Sequence, residues 1–260
     1  MNNSKNYPLI TIITVVLNGE KTLIKTIKSV INQTYNNIEY IIIDGGSTDG
    51  TLGIIEKYDD FISYWVTESD DGLYDAMNKG INIGKGDWFY FLNSDDKIHS
   101  DDVIGKIANR LQSIPSNTLI VYGSTLLNRL SGKQIIIGKP WDFICSLMRT
   151  EMCLPHQGTF HSKYLLSMFD GFDTSFKIAA DYKLIMQSIE IAPPVFVDDV
   201  LVADQLGGGV SALRKNRLKS LSECRRIHKE LDLPITMRWI WLYTKGVVWM
   251  VLSRFYDVGA

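Results

Sequence analysis

Apolar and polar positions follow two rhythms along this chain, and each change of rhythm falls where turn-forming residues cluster. Leu9 to Leu17 is a short, unbroken apolar run rich in β-branched residues, the pattern of a strand covered on both faces. Asn18-Gly19 ends it. From Glu20 to Asn32 the positions Leu23, Ile24, Ile27, Val30 and Ile31 fall at helical spacing, and Ile38 to Ile43 is a second buried strand stopped by Asp44-Gly45-Gly46-Ser47. The unit then repeats. A helix is predicted over Thr48–Tyr58 with Ser47 or Thr48 as its cap, a strand over Ile62–Thr67, a helix over Leu73–Ile83 and a strand over Asp87–Leu92. Alternation of this kind predicts an α/β, doubly wound, mostly parallel central sheet.

Beyond Asp101 the rhythm is looser. It predicts a helix at Asp101–Ser113, a hairpin from Thr118 to Ile137, a helical stretch at Ser162–Met168, a helix near Ala180–Glu190 and a strand at Pro194–Ala203. Gly207-Gly208-Gly209 is the strongest breaker and separates this body from a C-terminal tail.

Composition adds exclusions. With 260 residues, 45% of them apolar and 22% charged, the chain can bury a substantial core and is neither disordered nor collagen-like. Cys145, Cys153 and Cys224 form no C-x-x-C pair and no even framework, which argues for a reducing compartment and against a structural zinc site. The net charge of −2 is unevenly spread: from Ser211 onward ten basic residues face four acidic ones, a local +6 against −8 for the rest. A nucleic-acid binder would be basic throughout; an acidic body with a basic tail suits a metal-using enzyme held near an anionic surface. Leu9–Leu17 is too short to serve as a secretion signal, so a cytoplasmic location is expected.

Asp44, Asp70-Asp71 and Asp95-Asp96 each follow a predicted strand. In an open α/β sheet that is where ligands bind, so these carboxylates should approach one another although they are distant in sequence. Grouped like charges repel, and hard oxygen ligands without a His/Cys set favour Mg2+ or Mn2+ as the compensating ion. Any one of these acids is equally consistent with a turn or helix-cap role. A dinucleotide-dependent oxidoreductase would need G-x-G-x-x-G after the first strand, and Asn18-Gly19-Glu20 does not supply it.

Thr-Val-Val-Leu-Asn at 14–18, Ile-Ile-Ile-Asp-Gly-Gly-Ser-Thr-Asp-Gly-Thr at 41–51, Asp-Gly-Leu-Tyr-Asp-Ala-Met-Asn-Lys-Gly at 71–80 and Phe-Leu-Asn-Ser-Asp-Asp at 91–96 resemble glycosyltransferase family 2 in order and spacing, and Phe172 to Gln187 extends the match. The resemblance implies a GT-A fold, a nucleotide-sugar donor, a divalent cation and inversion at the anomeric carbon. It places the nucleotide pocket along Thr14, Val16 and Asn18, with Asp44 bonding the base, usually uracil, and Asp70 or Asp71 approaching from the next strand. Asn78, Asn93 and Ser94 join the donor site by the same resemblance. Asn93-Ser94-Asp95 stands where the family has Asp-x-Asp, making Asp95 the protein's metal ligand. Two departures stand out: Asn93 is neutral, and Met77 replaces a frequent Arg.

Direct displacement with inversion needs a base on the far face of the sugar. The resemblance assigns this to Asp181, in Ala-Ala-Asp-Tyr, where Ala180 replaces the family's Glu; a helix-cap role is compatible with it. Pro155-His156-Gln157-Gly158 lies where the family binds its acceptor, so His156 and Gln157 are acceptor candidates, although a lone His is more often structural. Residues 1–100 are then the nucleotide-sugar half, 101–210 the acceptor and base half, and 211–260 a basic, aromatic tail. That tail, with Arg238, Lys245, Trp239, Trp241, Tyr243 and Trp249, reads as an amphipathic helix in the membrane interface or as a packing or dimer segment. The resulting expectation is a non-processive transferase, peripheral on the cytoplasmic membrane face, moving a sugar from a UDP-sugar to a lipid-linked saccharide in bacterial O-antigen or capsule synthesis, and possible as a homo-oligomer. A membrane-associated nucleotide-sugar binder without turnover is the alternative.

Overall fold

The computed structural model describes residues 7–129, 131–207 and 216–256; the side chains of Arg217 and of residues 249–256 lie outside that description, as do Gly208, Gly209 and Arg214. Strand β1 (Ile10–Val16) is buried along its whole length, which its unbroken apolar run requires. Helix α1 (Leu23–Ile31) buries Leu23, Ile27 and Val30 on one stripe, and strand β2 (Ile38–Asp44) returns parallel to β1. Helix α2 (Thr51–Lys57), strand β3 (Tyr64–Thr67), helix α3 (Leu73–Ile83) and strand β4 (Trp88–Phe91) complete the parallel part of the sheet.

The remaining elements are β5 (Lys97–Ile98), α4 (Val103–Leu111), β6 (Ile120–Asn128), β7 (Gln134–Ile137), α5 (Trp141–Met148), β8 (Thr159–Ser162), α6 (Lys163–Met168), α7 (Ala180–Ile189), β9 (Val195–Leu206), α8 (Arg217–Glu230) and α9 (Met237–Tyr256). Among the described residues, nine strands form one sheet in the order β3-β2-β1-β4-β8-β6-β9-β5, with β7 hairpinned onto β6. The pairs β4–β8 and β6–β8 are antiparallel, whereas β6–β9 is parallel. The expected α/β, mostly parallel sheet is therefore present, with an antiparallel insertion around β8.

Side chains alternate across the sheet as the pleat demands. Ile13, Val15, Ile41, Ile43, Phe89 and Phe91 face one core with Leu184 and Ile185 of α7, while Ile10, Ile12, Val16, Ile42 and Tyr90 face the other with Ile27 of α1 and Ile104 of α4.

Some expectations need correction. The helix predicted from Thr48 starts at Thr51, because the Ser47 hydroxyl bonds Asp44 and Asp49, ahead of the N-cap Gly50, accepts from the Thr51 amide at 3.0 Å. The last body strand runs on to Leu206, since its later half pairs with β6 and β5. Strands β5 and β8 and helix α5 had no clear pattern. The first tail helix is also more than a surface element: α8 buries Cys224, Ile227 and His228, and Arg226 holds Glu230 and Ser175 while its guanidinium lies 4.0 Å from the centre of the Phe176 ring. Its basic residues are thus partly turned onto the body. Helix α9 is different, with Met237, Ile240 and Trp241 exposed. Among the described residues, no helix is long and apolar enough to cross a membrane.

Candidate active site

The crevice arises from unequal strand lengths. β4 stays with β1 only from Ile10 to Ile13, while β2 accompanies it to Val16. Beyond Ile13 the β4 side of β1 is open, and the sheet order reverses here, which is where an open α/β sheet binds ligands. Thr14 and Val16 lie along this stretch. The Thr14 side chain points into the core and accepts from the Tyr40 hydroxyl at 3.2 Å, so only backbone is offered to the crevice there.

Asn18 follows in a left-handed conformation, φ 55°, which Asn tolerates better than most residues. Its backbone N–H donates to the Ser47 hydroxyl at 2.7 Å, and its side-chain oxygen accepts from the Thr48 amide at 2.9 Å. These bonds fasten the loop after β1 to the loop after β2. Asp44 is fully buried at the root of that second loop. Its carboxylate accepts from the Gly46 and Ser47 amides and from the Ser47 and Thr67 hydroxyls. These four bonds tie Asp44 to both the loop after β2 and the end of β3.

Asp70 reaches the same place from β3. A Cβ on Gly45 would lie 2.4 Å from the Asp70 carboxylate, so the bare glycine lets that side chain lie against the loop after β2. Asp70 also accepts from the Gly72 amide at 2.9 Å, and Asp71 is exposed beside it. Asn78 faces elsewhere. Its amide group donates to the Phe172 carbonyl and accepts from the Phe172 amide, both at 2.8 Å, joining α3 to the turn before α7. These two bonds make Asn78 a strut between α3 and that turn.

Asn93, Ser94 and Asp95 turn out of β4 at the crevice floor. Asp95 is exposed at its edge, yet desolvation by the surrounding protein raises its carboxyl above the ordinary range. Asp96 behind it is buried and pushed up to about 7, first by burial and then by the Asp95 charge, against the Leu206 amide and Asn93 bonds that favour the anion. No cationic side chain pairs with either carboxylate among the described residues. An exposed hard-oxygen donor in a site short of positive charge fits a divalent cation. Among the described residues, no three His, Cys, Asp or Glu side chains group to hold a metal unaided, so a ligand would supply the other donors.

Asp181 stands in the first turn of α7 and meets Tyr74 from the first turn of α3. Oδ1 accepts from the Tyr74 hydroxyl at 2.9 Å and from the Tyr182 amide at 2.8 Å. The helix-cap reading does not hold in its usual form, because Asp181 bonds only the amide next to it. Oδ2 has no hydrogen bond among the described residues. His156 Nδ1 lies 3.7 Å from it, outside bonding range, and the imidazole is held below its ordinary value by burial, against the pull of the Asp181 charge. The His156 ring is stacked on Phe91 at 6.1 Å. Gln157 offers its backbone carbonyl to the Tyr90 hydroxyl at 2.8 Å. A 250 Å3 pocket beside Asp181 is lined by Met152, Ile178, Leu221, Cys224 and Leu242, among others. Sequence reasoning missed Tyr74, whose role depends on α3 and α7 meeting across 107 positions of chain.

Residues 11–162 match the model of glycosyl transferase family 2. The chain belongs to glycosyltransferase family 2. A Mycobacterium tuberculosis protein named as an uncharacterized glycosyltransferase is 33% identical over 196 residues, 75% of this transferase and 74% of its own length. A Mycobacterium bovis PGL/p-HBAD biosynthesis glycosyltransferase is 26% identical over 249 residues, covering 93% and 94%. Among solved structures, S. aureus TarS 1-349 in complex with UDP-GlcNAc resembles this transferase with a TM-score of 0.66 at 16% identity, over 92% of this chain and 71% of that one. The Pyrobaculum calidifontis mannosyltransferase in complex with GDP-Man and Mn2+ gives 0.64 at 16%, over 98% and 77%. The fold is accordingly GT-A.

Proposed function

We propose that this transferase is a non-processive, inverting enzyme that moves a sugar from a UDP-sugar to a hydroxyl of a lipid-diphosphate-linked saccharide, in the assembly of a bacterial surface polysaccharide such as O-antigen or capsule. The observation that carries the reading is the state of Asp181: one oxygen is locked by Tyr74 and Tyr182, and the other has no hydrogen bond among the described residues. That is the posture of a general base. In the reaction the acceptor hydroxyl gives its proton to Asp181 Oδ2 as its oxygen bonds the anomeric carbon. The bond from that carbon to the diphosphate breaks on the opposite face, and UDP leaves with the electron pair.

On the donor side, the β1 backbone at Thr14 and Val16, Asn18, Asp70, Asp71, Asn93 and Ser94 would hold the nucleotide, with Asp44 and Asn78 maintaining the loops and the helix behind them. Mn2+ or Mg2+, held from the protein by Asp95, would supply charge compensation for the diphosphate. His156, 3.7 Å from the base, and its neighbour Gln157 would contact the acceptor. Exposed Met237, Ile240 and Trp241, with the Lys245 ammonium 4.9 Å from the Trp241 ring centre, support an interfacial role for α9 at the cytoplasmic membrane face.

The test is a panel of UDP-sugars, with Mn2+ or Mg2+, offered together with a synthetic lipid-diphosphate saccharide, products being weighed by mass spectrometry. One donor should yield an acceptor heavier by one sugar. Donor binding without any product from the panel would instead favour a binder without turnover.

A further inference from the structure

A base must be aimed as well as present, and α7 begins without the means to aim it. Its N-cap residue, Ala179, has no side chain that can cap, and the amides leading into the helix need acceptors. Those acceptors come from α8. Glu223 Oε1 accepts from the Lys177 amide at 3.1 Å, and Oε2 accepts from the Ile178 and Ala179 amides at 2.9 and 3.0 Å. One half-buried carboxylate thus binds three consecutive N–H groups, ending two residues before Asp181. The same loop returns to the base by a second route. The Ile178 carbonyl lies 2.8 Å from the Tyr74 hydroxyl, which also bonds Asp181 Oδ1.

We infer that Glu223 is a positioning residue for Asp181, reaching forward from the tail to set the backbone of 177–179 and, through it, the direction of the base. The inference rests on the reading of Asp181 as the general base. A negative charge at the N-terminus of α7 is matched to the helix dipole, so the clamp is stable where it sits. It is also separate from the contacts that merely dock α8. Those are made by Glu230 with Lys183 at 2.7 Å, by Arg226 with the Ser175 hydroxyl at 2.7 Å, and by His228 Nε2 with the Tyr182 hydroxyl at 2.7 Å. Among the described residues, Glu223 is the only side chain that accepts from the 177–179 amides.

The experiment compares full-length Glu223→Gln, Glu230→Gln and Asp181→Asn with the wild type, using the donor and lipid-diphosphate acceptor that the panel selects. Glutamine keeps the shape of Glu223 but turns an NH2 group toward backbone N–H donors. Misplacing a reacting group by about 1 Å costs on the order of a hundredfold, so kcat should fall about 10- to 100-fold in Glu223→Gln. Acceptor KM and UDP affinity by calorimetry should stay within about twofold, because the donor wall is untouched. Amide hydrogen exchange should rise in 177–179 and nowhere on the donor side. Glu230→Gln, which loosens α8 without touching those amides, should keep kcat within about twofold.

The proposal falls if Glu223→Gln turns over normally, if UDP affinity falls in step with kcat, or if Glu230→Gln loses as much. Each of those results would make Glu223 an ordinary packing contact or an idle one. Asp181→Asn separates the two levels of failure: retained transfer there removes the base assignment itself, whereas lost transfer there with a normal Glu223→Gln removes only the clamp.

Discussion

Replacing Tyr74 by Phe removes one oxygen from the centre of the base site and nothing else. The ring stays: it is 5% exposed and tilted against Phe172 at a centroid distance of 5.4 Å, so Phe leaves no cavity of consequence. The lost hydroxyl sits between the Ile178 carbonyl at 2.8 Å and Asp181 Oδ1 at 2.9 Å, and its single proton serves the two. A hydrogen bond to a charged group is worth about 1.5–3 kcal/mol, and Oδ1 keeps only the Tyr182 amide once it is gone. If that bond chiefly restricts the carboxylate, the loss corresponds to about a ten- to hundredfold lower kcat. The stability change should be smaller, about 1–2 kcal/mol for the carbonyl left unpaired, or roughly 2–8 °C in Tm for a chain of this size. The measurement is steady-state transfer at saturating donor, with UDP affinity and Tm taken on the same preparation. A kcat within twofold of wild type would refute the orienting role. A parallel loss of UDP affinity would place the hydroxyl in the donor site instead.

Other expectations follow from single contacts. Asp95→Ala should abolish metal-supported transfer while Tm stays level or rises slightly, because the buried Asp96 carboxyl loses a like charge beside it; activity equal to wild type in Mn2+ would contradict this. Gly158→Ala should cost about 1–3 kcal/mol of stability in thermal or urea unfolding, since its Cβ would stand 2.7 Å from the Gly123 backbone carbonyl, which cannot yield. Asp173 is pushed up by burial, but bonds from Lys183 and Ser175 outweigh this and hold it at about 2. A depressed carboxyl stabilises the fold above its ordinary 3.8 and stops doing so as pH falls through about 2. The Tm advantage of wild type over Asp173→Asn, small because the pair is partly solvated, should therefore be full at neutral pH and vanish near pH 2. Replacing Met237, Ile240 and Trp241 together by Ser should abolish salt-sensitive sedimentation with anionic vesicles and leave UDP affinity intact; unchanged sedimentation would put the membrane contact elsewhere.

The parallel half of the molecule was legible because its signals are local. A run such as Leu9–Leu17 can be buried on both faces only as a strand inside a sheet, and the helical spacing of Leu23, Ile27 and Val30 needs no knowledge of what it meets. The positions of Asp44, Asp70 and Asp95 after strands were equally local, and an open sheet places strand ends together whatever lies between them. What each carboxylate does was decided by tertiary neighbours. Asp44 and Asp70 both come at strand ends, but Ser47 and Thr67 close around the first, while the second takes the Gly72 amide and lies against Gly45. Short β5 and β8 carried too few residues for a period to show, and they exist because β9 and β6 offer them partners. The charge of the tail was visible, but its first helix proved to bury Cys224 and Ile227 against the body, because burial depends on which face meets α7 and not on net charge. Asp181 could be chosen from its sequence context, yet its direction could not. That direction comes from Tyr74, about a hundred residues earlier, and from the tail helix that follows, because hydrogen bonds between distant segments are set by how elements dock, which local periodicity does not encode.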